Sequence, residues 1–306
     1  MSAVPRLAPV AGIDLGGTNI RVAVHDPAGP PLPTGSAGVT SGPAPRSLEE
    51  LRDVIGRLGG QSLGGVGIAI PGLVEATTCR WVPNLAYLDG VDLAAEVRAA
   101  TRAAMPVAVG NDAHLALLAE ARWGAAARMT DVILLAIGTG IGSAVLAGGS
   151  IVRGSRGAAA SFGWACADPD DSGDAVHGWL ERHASGSALD RVGARWDPPK
   201  SGTEVVGAAR GGDRTAAGEL ARLGATLGTV LAGAVALLDP QLVLVSGGLA
   251  DALDVVMPAL REAMERQLPA HLRQVPVAAA HFGSGASLQG ALLAARTTTT
   301  WWEVTR

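Results

Sequence analysis

Val10-Ala11-Gly12-Ile13-Asp14-Leu15-Gly16-Gly17-Thr18-Asn19-Ile20-Arg21-Val22-Ala23-Val24 is the stretch that decides how this chain is read. An apolar run reaches Asp14, turns on two adjacent glycines and a threonine, and leaves as a second alternating run. That pattern predicts a β-hairpin. Its tip offers bare backbone N–H groups, the Thr18 hydroxyl and the Asp14 carboxylate. Phosphate oxygens take such donors, and a phosphate-bound Mg²⁺ takes the carboxylate. A second turn of the same make-up follows at Leu134-Leu135-Ala136-Ile137-Gly138-Thr139-Gly140-Ile141-Gly142-Ser143. Two Gly-Thr turns on hairpins, rather than one on a strand–helix junction, point to a nucleotide clamped between two domains.

The bulk properties leave room for this reading. A length of 306 residues allows two domains and a sizeable core. The 42 glycines are about twice the usual share of roughly 7%, and they cluster in turns after apolar runs. A net charge of −4 speaks against a nucleic-acid surface. Lys200 is the single lysine, so nearly all positive charge is arginine. Cys79 and Cys166 are too few for a disulfide framework, which fits a reducing cytoplasm. Met1–Pro9 carries no signal-peptide core. Gly224–Leu238 comes nearest to membrane-spanning length, but it is Gly- and Ala-rich and reads as a buried helix, so no membrane partner is expected.

Outward from the hairpin, strands and helices alternate. Pro27 to Pro45 reads as a Pro/Gly-rich connection, and Ser47 as the N-cap of a helix. Gly65–Ile70 is a strand stopped by Pro71-Gly72. Asp92 caps a helix reaching Met105. Val107–Gly110 is a short strand, ended by Asn111-Asp112, which cap a helix over His114–Ala127. Asp131–Ile137 opens a second domain. Glu219–Leu238 is a long apolar helix, Leu242–Val245 a strand closed by Ser246-Gly247-Gly248, and Asp251–Gln267 a helix. Strand Val275–Ala279 and helix Ser287–Arg296 follow. The order argues for an α/β protein with mostly parallel sheets. The tail Thr297–Arg306, with four threonines and two tryptophans, yields no functional reading.

Asn111-Asp112 holds the catalytic candidate. Asp112 falls at the C-terminal edge of a strand and at a helix N-terminus, where ligands bind in open α/β sheets. A lone Asn-Asp is otherwise a helix cap; the two phosphate turns elsewhere favour a role in chemistry. Phosphoryl transfer asks for positioned phosphates, Mg²⁺ and a carboxylate that accepts the attacking hydroxyl's proton. Asp112 is the candidate base, with Asn111 holding a neighbouring hydroxyl. Ser246-Gly247-Gly248 is a third glycine turn, which lets an adenosine ring approach the backbone. Asn84 reads either as a substrate ligand or as part of the Pro83 turn. Gly72 reads either as a turn glycine or as a place where a side chain would obstruct the ring. Arg21 reads as a surface strand residue, and His114, Trp123 and Trp179 as packing.

Taken in order, Asp14-Leu15-Gly16-Gly17-Thr18, Pro71-Gly72, Pro83-Asn84-Leu85, Asn111-Asp112-Ala113, Gly138-Thr139-Gly140-Ile141-Gly142, Ala184-Ser185-Gly186 and Asp239-Pro240 with Ser246-Gly247-Gly248 resemble the ROK family over nearly the whole chain. That family groups sugar kinases with sugar-responsive repressors. The resemblance implies an actin-like (ribonuclease H-like) two-domain ATPase fold with a central cleft. It implies a small domain of residues 1–112 plus 288–306 and a large domain of 113–287. It implies ATP phosphates on Gly16, Gly17, Thr18, Asn19, Gly138, Thr139 and Gly140, with Gly247 and Gly248 near the nucleotide. Asp14 is implied near the metal, and Asp112 as base on a primary hydroxyl of a sugar or carbasugar. A homodimer is implied as well. The phosphate hairpin starts at residue 10, which leaves no room here for the repressors' helix-turn-helix.

The departures from the family bear on substrate. Its Glu-x-Gly-His element, which reads the far end of the sugar, corresponds here to Ser161-Phe162-Gly163-Trp164. The family histidine also ligates a structural zinc with a Cys-rich cluster. Here Cys166, His177 and His183 do not amount to a four-ligand set, so zinc is not expected. Glu181 keeps the position of the family's Cys-Leu-Glu glutamate. With Ser161, Trp164 and Glu181 around the ring, the substrate is either an unusual ring such as a C7-cyclitol or an ordinary hexose with Trp164 filling the space of the lost zinc. The alternatives are an ordinary glucokinase, a non-catalytic sugar-binding regulator, and a kinase that uses polyphosphate in place of ATP; the last favours a basic groove that this acidic chain lacks.

Overall fold

The N-terminal hairpin forms as the pattern predicts and becomes the middle of a sheet. The computed structural model describes residues 8–32, 38–297 and 300–304; the reading of the N-terminus before residue 8 lies outside them. The chain divides into two compact units and crosses between them at Arg128/Met129, Gly148/Gly149, Ala159/Ala160 and Gly283/Ser284.

In the first unit β1 (Val10–Leu15) and β2 (Asn19–His25) pair antiparallel, with Asp14 opposite Arg21 and Leu15 opposite Ile20. β3 (Val39–Pro43) adds to β2 at the edge. On the other side β4 (Gly65–Ile70) and β7 (Val107–Asn111) run parallel to β1, giving the order β3-β2-β1-β4-β7. Between these strands lie α1 (Leu48–Gly56), the small hairpin β5 (Leu73–Glu75) and β6 (Thr78–Trp81), and α2 (Leu93–Thr101). Ser47 caps α1 by accepting the Glu50 N–H at 3.2 Å. Asp92 caps α2 by accepting the Ala94 N–H at 3.0 Å. α3 (Asp112–Trp123) follows β7 directly. Ile13, Leu15, Leu51, Ile55, Ile68, Ile70 and Val97 form one buried cluster between sheet and helices.

The second unit repeats the plan. β8 (Val132–Ile137) and β9 (Ile141–Ala147) form its hairpin. The chain then visits the first unit over Gly149–Ala159, including the two-residue strand β10 (Ser150–Ile151). It returns for α4 (Trp179–Ala184), α5 (Gly186–Gly193), α6 (Gly202–Arg210) and α7 (Arg214–Leu238). β11 (Leu242–Ser246) lies parallel to β8, and β12 (Val277–Ala279) parallel to β11, with α8 (Leu253–Gln267) between them in sequence. By length and composition α7 could cross a membrane. Its Leu220, Leu223, Leu227, Leu231 and Val235 instead share a core with Val256, Leu260 and Met264 of α8, so it is the central helix of this unit.

The last helix, α9 (Ala286–Thr297), rejoins the first unit. It lies so close to β4 that a Cβ at Gly67 would stand 1.8 Å from the Ala291 carbonyl oxygen. α3 packs against α9 as well. The first compact unit therefore retains α3 and ends its main stretch at Arg128, not at residue 112, and its C-terminal part begins at Ser284 rather than at 288. The expected connection Pro27–Pro45 carries β3. That edge strand is exposed along most of its length, so no apolar alternation announces it; residues 33–37 of the connection lie outside the described residues.

Candidate active site

In the first unit the turn after β1 leaves Gly17, Thr18 and Asn19 exposed, and the Gly16 N–H closes it on the Asn19 carbonyl at 2.9 Å. Asp14 is buried beneath it. Arg21 donates to the Asp14 Oδ2 from Nε at 3.0 Å and from Nη2 at 2.6 Å. Burial is the larger influence and raises the Asp14 pKa, while Arg21 and a hydrogen bond from Ser287 oppose it. Arg21 is thus not simply a surface strand residue but the partner of the buried carboxylate. The hairpin register carries the signal for it, because Asp14 and Arg21 stand opposite one another.

Next to the end of β7 the Asn-Asp pair divides its work. Asn111 is the N-cap of α3, its Oδ1 accepting from the Ala113 N–H at 3.0 Å and the His114 N–H at 3.3 Å. Its Nδ2 donates to the Gly72 carbonyl at 3.2 Å. Expected on a substrate hydroxyl, Asn111 is engaged at both ends within the protein. Asp112 then has no need to cap. It is half-buried, accepts the Ala113 N–H at 2.8 Å, and has no basic partner among the described residues. Burial, and then the charge of Asp14, push its carboxyl up to about 7. A carboxylic acid tuned to neutrality and within the field of Asp14 is suited to proton transfer.

Two further expected positions gather here. Asn84 is exposed on a 3₁₀ turn, Pro83–Leu88, and its Cβ is 3.0 Å from where a Cβ would stand on Gly17. At Gly72 a Cβ would fall 2.4 Å from the Trp81 carbonyl oxygen. The β5–β6 hairpin therefore excludes a side chain there before any substrate does. His114 is buried with Nε2 3.4 Å from the Ala159 carbonyl oxygen, and burial pushes its pKa down to about 4, so it is neutral.

In the second unit the turn Gly138–Gly140 is tied down through its backbone. The carbonyls of Gly138 and Thr139 accept from the Gly186 N–H at 2.7 Å and the Ser187 N–H at 3.4 Å, at the start of α5. Glu181 Oε2 accepts the Ile141 N–H at 2.9 Å, and its Oε1 lies 3.0 Å from His177 Nδ1. Glu181, expected on the substrate, is here bonded to the backbone just after the Gly138–Gly140 turn. Gly247 adopts a left-handed φ of 78° against the Ile137 carbonyl, so the third glycine turn sits beside the second. Gly248 next to it is exposed.

Ser161 and Trp164 flank the 3₁₀ turn Phe162–Trp164, anchored by the Ser143 hydroxyl, which bonds the Ala160 carbonyl and accepts the Phe162 N–H. Trp164 is 43% exposed. Cys166 bonds the Asp168 backbone, and His183 stacks on Trp179 with ring centroids 4.4 Å apart. Among the described residues no group of three or more His, Cys, Asp or Glu could hold a metal ion.

Two sheets of like plan, each with a glycine–threonine turn closing its hairpin, define an ATPase of the actin-like two-domain fold. The chain belongs to the ROK family, which it matches over residues 10–298, and it is one of that family's sugar kinases. It is 32% identical over 314 residues to the glucokinase of Streptomyces coelicolor, covering 93% of this chain and 96% of that one. The ROK glucokinase of Streptomyces griseus, solved with glucose and AMPPNP, superposes with a TM-score of 0.77 at 30% identity over 94% of this chain and 99% of that one. The ROK hexokinase of Thermus thermophilus gives 0.79 at 29% identity over 94% and 98%.

Proposed function

We propose that this chain transfers the γ-phosphoryl group of ATP to the primary hydroxyl of a hexose-like ring, with Asp112 as the general base. The acceptor oxygen bonds to the γ-phosphorus, the bond from that phosphorus to the bridging oxygen breaks, ADP leaves, and the hydroxyl proton passes to Asp112. The observation that carries this is the state of Asp112: relieved of capping by Asn111, unpaired with any cation among the described residues, and held near 7. Asn111 acts on it as a positioning residue by fixing the first turn of α3. The Gly16–Asn19 and Gly138–Gly140 turns offer donors to the ATP phosphates, and Glu181 keeps the second of them in shape.

Mg²⁺ arrives with nucleotide phosphates and asks the protein for only one or two carboxylates. The residues fit that need. The Arg21 pair uses Oδ2 of Asp14 alone, and Asp112 lies within its field. Bound there, the ion would neutralise phosphate charge.

The glucokinase relatives support a hexose acceptor. The exposed Trp164 and the uncharged Ser161, where the family carries His and Glu, favour a second reading, a C7-cyclitol that presents fewer hydroxyls at that end. ADP release with Mg²⁺-ATP across glucose, mannose, N-acetylglucosamine, N-acetylmannosamine and valienol- or valiolone-type cyclitols tests both. Turnover on glucose supports the first reading, and turnover on a cyclitol alone the second. No ADP release on any acceptor, with ATP still bound, would sink the proposal.

A further inference from the structure

Asn111 also lines a cavity of about 140 Å³ whose walls belong entirely to the first unit. Around it stand His114, Arg153, Ser155, Arg156 and Trp301. The outer wall is the C-terminal segment that the sequence leaves without a reading. Trp301 is buried, and its ring approaches within 3.0 Å of where a Cβ would stand on Gly110. The Ile151 N–H donates to the Trp302 carbonyl at 2.7 Å, and the Val304 N–H to the Gly149 carbonyl at 2.9 Å. The tail is thereby clipped onto the loop that carries the two arginines.

Those arginines are the reason to expect a ligand. Arg153 is half-buried with its guanidinium stacked 3.5 Å over the Trp302 ring, which fixes the plane and leaves its N–H edge to donate. It makes no ion pair among the described residues, and neither does Arg156. Glu75, the acidic residue of the wall, is paired at 2.7 Å with Arg80. His114 adds no acceptor of negative sign. The cavity is thus lined by two guanidinium groups with no ion pair among the described residues and by the Ser155 hydroxyl, a donor set that suits an oxyanion.

We propose that this cavity binds an oxyanion, a phosphate or carboxylate group, through Arg153 and Arg156. The anion is either carried by the acceptor or is a separate small molecule. The site itself does not depend on the kinase reading; only the assignment of its source does.

Calorimetric titration with inorganic phosphate tests the site without turnover. The unsubstituted protein is expected to bind it, and Arg156→Gln and Arg153→Gln each to bind about tenfold more weakly. Arg156 is exposed, so its variant keeps the test open where Arg153→Gln disturbs the Trp302 stack. Absence of phosphate binding overturns the proposal. Binding that both variants leave unchanged also overturns it, because the anion then sits elsewhere, such as on the glycine turns. Glucose 1-phosphate, with a free primary hydroxyl at one end and a phosphate at the other, then identifies the source. An acceptor-borne anion gives turnover whose KM rises about tenfold in Arg156→Gln while the KM for glucose stays unchanged. A separate anion gives phosphate binding that persists alongside saturating glucose. Loss of all turnover with the phosphate titration intact would mark failure of the kinase reading alone.

Discussion

The two glycine–threonine turns close hairpins of the same build, yet they are held by different means. The first rests on charge from within its own hairpin, Asp14 on β1 against Arg21 on β2, seven residues apart. The second contains no ionisable group. It is shaped by backbone bonds to α5 and by Glu181, which reaches the Ile141 N–H from forty residues on. The first region therefore holds the groups that titrate, since Asp14 in turn helps set Asp112. The second is a cradle of neutral donors. Damage to the first should appear in kcat and in pH dependence, and damage to the second in the KM for ATP.

The largest effect is expected at Asp112. Asp112→Asn should lower kcat by roughly 10² to 10⁴ and leave acceptor binding in place. In the unsubstituted protein kcat/KM should fall as pH drops below about 7, where the base becomes protonated. Stability moves the other way. The folded pKa lies above the unfolded one, so the folded state binds the extra proton and stability declines as pH rises from about 4 to 7. Asparagine carries no such penalty. The variant should be more stable than the unsubstituted protein at pH 8, by about 1–3 kcal/mol, with the gap closing toward pH 4. Equal melting at both pH values would mean that the carboxyl is not perturbed.

Arg21→Met comes next. It strands a buried carboxylate, which costs about 3–5 kcal/mol for a fully buried pair. Arg21 is 30% exposed, so a loss of about 2 kcal/mol is the discounted expectation. Without its cation Asp14 titrates higher still, so the loss should be present at pH 8 and shrink as pH falls and the carboxyl protonates. A loss that does not vary with pH would place the damage in packing and would break the contrast between a turn held by an ion pair within its own hairpin and one held by bonds to its backbone.

These two regions also mark where the sequence is legible. Both turns, Asn111-Asp112 and the strand–helix alternation are local patterns, and the structure realises them. The Asp14–Arg21 pair was readable from hairpin register, but Arg21 alone looks like any alternating strand residue. The task of Glu181 was not readable, because it is defined by a backbone N–H forty residues away on another element. β3 gives no periodic signal because it is an exposed edge strand. Trp301 and Trp302 gain meaning only once the chain has folded back onto Gly110 and Arg153. What the sequence withheld is consistently the long-range partner, not the local conformation.

Glu181→Ala sharpens the second half of the contrast. It leaves the Ile141 N–H without its acceptor, at about 1 kcal/mol, and should raise the KM for ATP several-fold while kcat changes less.

The smallest effects come from a pair of glycines two positions apart. At Gly140 a Cβ would lie 2.5 Å from Glu181 Oε2. The carboxylate is free to move, but moving it breaks its bond to Ile141, so Gly140→Ala should reproduce much of the Glu181→Ala defect. At Gly138 a Cβ meets nothing within 4 Å, and its φ is not in the left-handed region. Gly138→Ala should therefore change stability by less than about 0.5 kcal/mol. Any rise it causes in the KM for ATP must then come from crowding at the phosphates themselves. Calorimetric binding of AMPPNP to both variants separates the cases. A double variant no worse than Glu181→Ala alone would trace the Gly140→Ala strain to the glutamate. Two equal and additive defects would show that the turn needs its glycines for the nucleotide, independent of what lies beneath.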